Sequence, residues 1–148
     1  MDKKYELLEH TADFGIRAWG KTIDELFINA AGAMYGIIAD ISKIKPKTRV
    51  KLEIEAQDRN ELLKSWLTEL LYYFNVKNLL LCEFKIYEIN DKYIKSEAAG
   101  EKIDIIEWSA DSKKFIEDSL SPAKVMSVSL DQENRQAHVE VSEDQQSI

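Results

Sequence analysis

The residues best placed to do chemistry lie near the start of the chain, in the run Glu9-His10-Thr11-Ala12-Asp13. Alternating apolar and polar residues predict a strand over Tyr5–Glu9 and another over Phe14–Trp19, so His10 to Asp13 form the polar turn between them. A carboxylate in a tight turn is a hard oxygen donor of the kind that suits calcium, magnesium or manganese. A turn aspartate also commonly accepts from nearby backbone N–H groups, and the bare residue Asp13 fits that plainer role as well. Glu9 reads as a strand-end charge and His10 as a residue that fixes the turn by hydrogen bonding. Asp40 stands just past a long helical pattern, where ending the helix is the simpler role and metal ligation the other.

Other chemistries are poorly supplied. Cys82 follows Leu79-Leu80-Leu81, which predicts a buried thiol and no nucleophile. Two histidines, His10 and His138, and one cysteine are too few for a zinc-type cluster. There is no P-loop, no dinucleotide glycine fingerprint and no recognised nucleophile motif. Acids are abundant, but abundance does not make a paired acid–base site, so a conventional enzyme is disfavoured. The net charge of −7 is uneven: residues 1–99 hold 15 Lys/Arg against 16 Asp/Glu, and residues 100–148 hold 5 against 11. Such a tail repels a phosphate backbone, which argues against avid nucleic-acid binding but not against contact with a basic protein. No apolar run reaches the length of a membrane span, and the opening MDKKYELLEH lacks an apolar signal region, so cytoplasmic residence is expected.

The elements that must position these residues follow from periodicity. Thr22-Ile23-Asp24-Glu25 is a capping-box pattern, and Ile23, Leu26, Phe27, Ala30, Ala31, Met34, Ile37 and Ile38 form one helical stripe running to about Ala39. A loop over residues 43–48 leads to a half-buried strand marked by Val50, Leu52 and Ile54. Asp58 and Glu61 frame a second helix whose inward stripe is Leu62, Leu63, Trp66, Leu67, Leu70, Leu71 and Phe74. A hairpin is predicted about Asn90-Asp91, then a strand over residues 103–108, a short helix over 112–120 stopped by Ser121-Pro122, and a last hairpin about residues 131–134. The length suits one domain. The sum is an α+β domain: a largely antiparallel, or mixed, sheet packed by two long helices, with a short helix and a hairpin added late.

The segment LEHTADFGIRAWGKTIDELFINAAGAMYGIIAD resembles archease, and the Leu62–Phe74 helix and Leu79-Leu80-Leu81-Cys82-Glu83-Phe84 extend the likeness over about residues 4–104. The resemblance implies a small accessory protein, not itself an enzyme, that assists an RtcB-type RNA ligase in tRNA splicing. It would promote guanylylation of the ligase's active-site histidine and permit multiple turnover. It also implies a divalent ion, with Asp13 carried over as a metal ligand. Archeases continue with a VKAVTYH-like strand and close on a strand ending in an aspartate and an apolar residue, and the lysine and aspartate of those patterns belong to the site. Neither pattern is present here. Asp144 and Lys124 are the residues that could stand in, the alternatives being a solvated tail aspartate and an edge-strand lysine.

From Gly100 onward the pattern changes. GEKIDIIEWSADSKKFIEDSLSPAKVMSVSLDQENRQAHVEVSEDQQSI, about residues 100–148, resembles transcription elongation factor NusA, at the exit from its first KH domain and the start of its second. KH domains clamp single strands with a Gly-x-x-Gly loop, and this segment has none. Lys113, Lys114 and Lys124 are its only candidate phosphate contacts, and Trp108 reads as a core anchor. The chain thus divides into an archease-like domain over 1–104 and a NusA KH-like fragment over 105–148 that would complete the same sheet. Three functions follow: an archease-like accessory protein, a KH-derived RNA-binding or transcription-factor fragment, or a chimeric or designed scaffold without native activity.

Overall fold

The computed structural model describes residues 4–9, 13–103, 123–131, 133 and 135–143. The strand expected at 103–108 falls almost entirely, and the helix expected at 112–120 falls wholly, outside these residues. Among the described residues, seven strands and two long helices follow in the order β1 (Tyr5–Glu9), β2 (Asp13–Trp19), α1 (Ile23–Ile38), β3 (Thr48–Glu55), α2 (Arg59–Asn75), β4 (Leu79–Ile89), β5 (Tyr93–Lys102), β6 (Ala123–Leu130) and β7 (Gln136–Glu143). The class is α+β, as the pattern predicts. The strands divide between two sheets, ordered β1-β2-β7-β6 and β3-β5-β4, and each described pairing is antiparallel.

Local chemistry sets the helix ends. Thr22 Oγ1 accepts from Glu25 N at 3.3 Å, and Asp58 Oδ1 accepts from Glu61 N at 2.8 Å, each satisfying an N–H that the first helical turn leaves open. All seven residues of the predicted α2 stripe are buried. In α1 the stripe is wider than predicted, because Ala33 and Tyr35 are buried too. Tyr35 tolerates burial because its hydroxyl donates to the Leu70 carbonyl of α2 at 2.5 Å. Burial holds its phenol well above the ordinary range, opposed by a backbone hydrogen bond.

Each helix packs against both sheets, α1 on β2 and β4, α2 on β6 and β4. Their shared core is aromatic at its centre. Trp66 lies 5.8 Å from Phe27 and 6.5 Å from Phe84, and Tyr35 lies 5.9 Å from Phe84. The Trp66 indole N–H donates to Ser96 Oγ at 2.8 Å, so the largest buried side chain keeps its polar atom paired.

The second half of β5 explains why glycine and glutamate stand together there. A Cβ on Gly100 would meet Leu80 O at 1.8 Å, so only glycine lets β4 come this close. Glu101 is buried; its carboxylate accepts from Lys45 N at 2.7 Å and lies 3.6 Å from Lys47 Nζ, which ties down the loop before β3.

Cys82 is half-buried, not buried, because the register of β4 slips between Leu81 and Glu83 and turns the thiol partly outward. Desolvation, then the charges of Glu83 and Glu101, push the thiol up to about 11, which disfavours the reactive thiolate at neutral pH.

Candidate functional site

The candidate site lies where β2 meets β7. β7 lies between β2 and β6. Its Ala137, Val139 and Val141 are buried in the core, so alternation directs Gln136, His138, Glu140 and Ser142 to the outer face. Register then assembles rows across three strands. Asp13 stands opposite Ser142, which stands opposite Lys124. The next row is Gly15, Glu140 and Ser127, and the one after is Arg17, His138 and Ser129. Two strand spacings place the Asp13 and Lys124 backbones about 10 Å apart.

Side-chain contacts on this face are polar. His138 Nε2 and Glu140 Oε1 are 2.6 Å apart. Arg17 Nη1 donates to Glu6 Oε1 of β1 at 3.3 Å. Gly15 has no side chain facing Glu140, and both Gly15 and Ser142 are buried beside the Asp13 position. Lys124 is exposed on β6, an edge strand of this sheet.

The sequence candidates fare differently. Asp13 begins β2 instead of lying within the turn before it. Glu9 ends β1 opposite Phe14. His10 and Asp144 lie outside the described residues. Asp40 caps the next element: it accepts from Ser42 N at 3.2 Å and from Ser42 Oγ at 2.6 Å, opening a 3₁₀ turn over Ile41–Lys43. The Ser42 hydroxyl, foremost, holds the Asp40 carboxyl below its ordinary value. The pair His138 and Glu140 went unnoticed in the sequence, where only their i, i+2 spacing on a strand pattern could have marked them.

Among the described residues no three His, Cys, Asp or Glu groups converge to hold a metal ion. A hard divalent ion wants about six or more oxygens, and in register Asp13 meets a serine and a lysine, not a second carboxylate. The described donors therefore do not by themselves fit such an ion.

Two antiparallel sheets bridged by two helices, with Asp13, Ser142 and Lys124 in one row across β2, β7 and β6, define a small α+β scaffold. The chain belongs to the archease family: the family model described as "Archease protein family (MTH1598/TM1083)" matches residues 5–115. Among its relatives, the Protein archease of Methanosarcina mazei is 42% identical over 104 residues, covering 68% of this chain and 71% of that one. The Protein archease of Pyrococcus furiosus is 40% identical over 105 residues, covering 69% and 74%. The solution structure of Methanobacterium thermoautotrophicum protein 1598 superposes with a TM-score of 0.60 at 26% identity, covering 94% of this chain and 97% of that one. Similarity to the curated relatives thus spans about two thirds of the chain, while structural similarity spans nearly all of it. No helix among the described residues is long and apolar enough to cross a membrane.

Proposed function

We propose that this chain is an archease-type accessory protein that works in the cytoplasm on an RtcB-type RNA ligase, promoting guanylylation of the ligase and its turnover. The observation that carries the reading is the family match over residues 5–115, which takes in the His10-Thr11-Ala12-Asp13 run and α1, with relatives at about two fifths identity. The outer face of the β1-β2-β7-β6 sheet is the docking surface on this reading. Asp13 supplies an oxygen ligand for a divalent ion (calcium, magnesium or manganese), with Asp144 a second candidate, and Lys124 takes the place of the family's lysine. The Asp13, Ser142, Lys124 row supports that placement, because it returns the late lysine to the early aspartate.

On the same reading the NusA-like tail is composite in sequence only. β6 and β7 pair into the sheet of β1 and β2, which supports a role as closing strands and not as an RNA clamp.

The test is guanylylation of a cognate RtcB-type ligase with GTP and a divalent ion. The full chain should accelerate it, and Asp13→Ala and Lys124→Ala should each remove most of the acceleration. No acceleration at saturating protein would remove the proposal. Acceleration that survives Lys124→Ala would remove the assignment of that lysine. Salt-sensitive binding of single-stranded RNA, without any effect on the ligase, would favour the KH-derived reading instead.

A further inference from the structure

Among the described residues each sheet has two edge strands, and three of these four are short or broken. β1 has five residues. β4 shifts register twice against β5, between Leu81 and Glu83 and between Ile86 and Glu88, and β6 shifts once against β7, between Val125 and Ser127. Shortness and bulges are common ways for an edge to avoid pairing with another chain. β3 has neither. Its eight residues run in unbroken register with β5, from Thr48 opposite Gly100 to Glu55 opposite Tyr93.

The free side of β3 follows from that register. Ala56 N donates to Lys92 O, which continues the ladder in phase. In an antiparallel pair alternate residues turn both backbone groups to the neighbour, so Val50, Leu52 and Ile54 turn theirs to β5. The N–H and C=O groups of Arg49, Lys51, Glu53 and Glu55 face away, where no strand among the described residues pairs with them. These four side chains are exposed, while Val50 and Ile54, on the core side, are only partly buried.

The order of charges decides what such an edge accepts. Like charges along an edge repel a second copy. Here both cations come first and both anions last. Two β3 strands laid antiparallel about a two-fold axis at Leu52 bring Lys51 opposite Glu53 and Arg49 opposite Glu55, each twice, with Val50 opposite Ile54 beneath. An axis at Lys51 or at Glu53 would set like charges face to face. Arg49 also bridges Glu97 of β5 at 3.3 Å, so its guanidinium would sit between two carboxylates. Pairing of this kind needs opposite signs in order and no net field, because every cation meets an anion.

We infer that β3 is the contact through which two copies of this chain associate, joining their three-stranded sheets edge to edge. The main-chain groups left free on β3 satisfy one another, as in strand addition to a sheet edge. A two-fold axis makes one patch its own partner, the commonest arrangement in homo-oligomers. A single strand edge buries less than the roughly 1,200 Å² of a standard interface, so the dimer is weak and depends on concentration. The inference stands apart from the ligase reading, because Asp13 and its row belong to the other sheet.

The test is sedimentation equilibrium of the full chain up to about 1 mM, as a weak interface requires, together with amide hydrogen exchange. The mass should rise with concentration from one chain toward two, and the amides of Arg49, Lys51, Glu53 and Glu55 should gain protection as it does. Lys51→Glu and Glu53→Lys should each weaken association about ten-fold, since each turns two opposite-charge pairs into like ones. Mixed together, these two variants should associate again, and so should the double variant Lys51→Glu/Glu53→Lys, because signs then oppose across the axis. Lys77→Glu, exposed just past α2, should change nothing. Where a reversal fails to fold, Lys51→Gln or Glu53→Gln replaces it and must also weaken association. A single-chain mass at every concentration overturns the inference; β3 amides already protected in that single chain would show that another segment covers the edge. A dimer indifferent to both reversals, or single variants that stay apart when mixed, overturns it as well.

Discussion

The same substitution, glycine to alanine, should have opposite effects at two positions of this fold. Gly100 lies in β5, paired with Thr48 of β3 and Leu81 of β4. A Cβ there would sit 1.8 Å from Leu80 O, 2.6 Å from Leu80 C and 2.7 Å from Leu81 Cα. Carbon contacts are ordinarily about 3.5–4.0 Å, so β4 would have to withdraw by more than about 1.5 Å. The obstructing atoms are all backbone, and no rotamer change relieves them. Stretching two or three ladder hydrogen bonds costs about 1 kcal/mol each, and disturbing the buried Leu80 and Leu81 costs about 1–3 kcal/mol more. Gly100→Ala should therefore destabilise by about 3–6 kcal/mol, a large part of the roughly 5–15 kcal/mol that holds a domain together. Gly32, inside α1, has nothing within 4 Å of its would-be Cβ. Gly32→Ala should stabilise by about 0.5–1 kcal/mol through helix propensity and reduced freedom of the unfolded chain. Urea denaturation followed by tryptophan fluorescence measures both, since Trp66 is fully buried. With a slope of about 1–3 kcal/mol per molar urea, the Gly100→Ala midpoint should fall by at least about 1 M, or the folded baseline should vanish. A Gly100→Ala midpoint matching the parent's would refute the close approach of β4 and β5. A destabilising Gly32→Ala would refute the open surroundings assigned to that glycine.

Ser96→Ala should cost about 1–3 kcal/mol in the same assay, because it leaves the buried Trp66 N–H without its acceptor, whereas Ser96→Thr keeps an oxygen there. Cys82 should resist iodoacetamide in the folded chain at pH 8, where about one thiol in a thousand is ionised, and its reaction rate should climb until about pH 11. Its raised value also sets a stability trend: the contribution is complete below the ordinary thiol value of 9.0 and is lost as pH rises from there to about 11, and Cys82→Ser should remove that part of the alkaline loss. Ser42→Ala should bring the Asp40 carboxyl back up toward its ordinary value in a carbon-detected titration; in the parent, the stability linked to Asp40 is present above pH 3.8 and fades as pH falls through its depressed value.

Much of the scaffold was readable because its signals are local. The α2 stripe from Leu62 to Phe74 repeats at helical spacing over four turns, and each of its members is buried. Thr22 and Asp58 announced helix starts because a cap needs only its own side chain and an N–H three residues on. Alternation located β3 and the β4–β5 hairpin, yet it reports which face a residue occupies and not which sheet a strand joins, so the division into two sheets was hidden. Tyr35 escaped the stripe because its burial depends on the Leu70 carbonyl of another helix. Cys82 was misjudged because a register slip leaves no mark in an apolar run. The candidate site was least legible. Asp13, Ser142 and Lys124 share a row only through the pairings β2–β7 and β7–β6.

The place of β7 between β2 and β6 has a consequence for biosynthesis. Asp13 pairs with Ser142 and Trp19 with Gln136, so β2 gains its second neighbour only after the segment through β7 has emerged. Until then the β1–β2 ribbon and α1 stand with Ile16 and Ala18 short of the cover that Val139 and Ala137 later bring. Closing so long a loop is slow, and a nascent chain stalled before β7 offers a bare strand edge to any passing partner. Truncation within β7 should thus be felt at β2, as aggregation seeded by the β1–β2 ribbon.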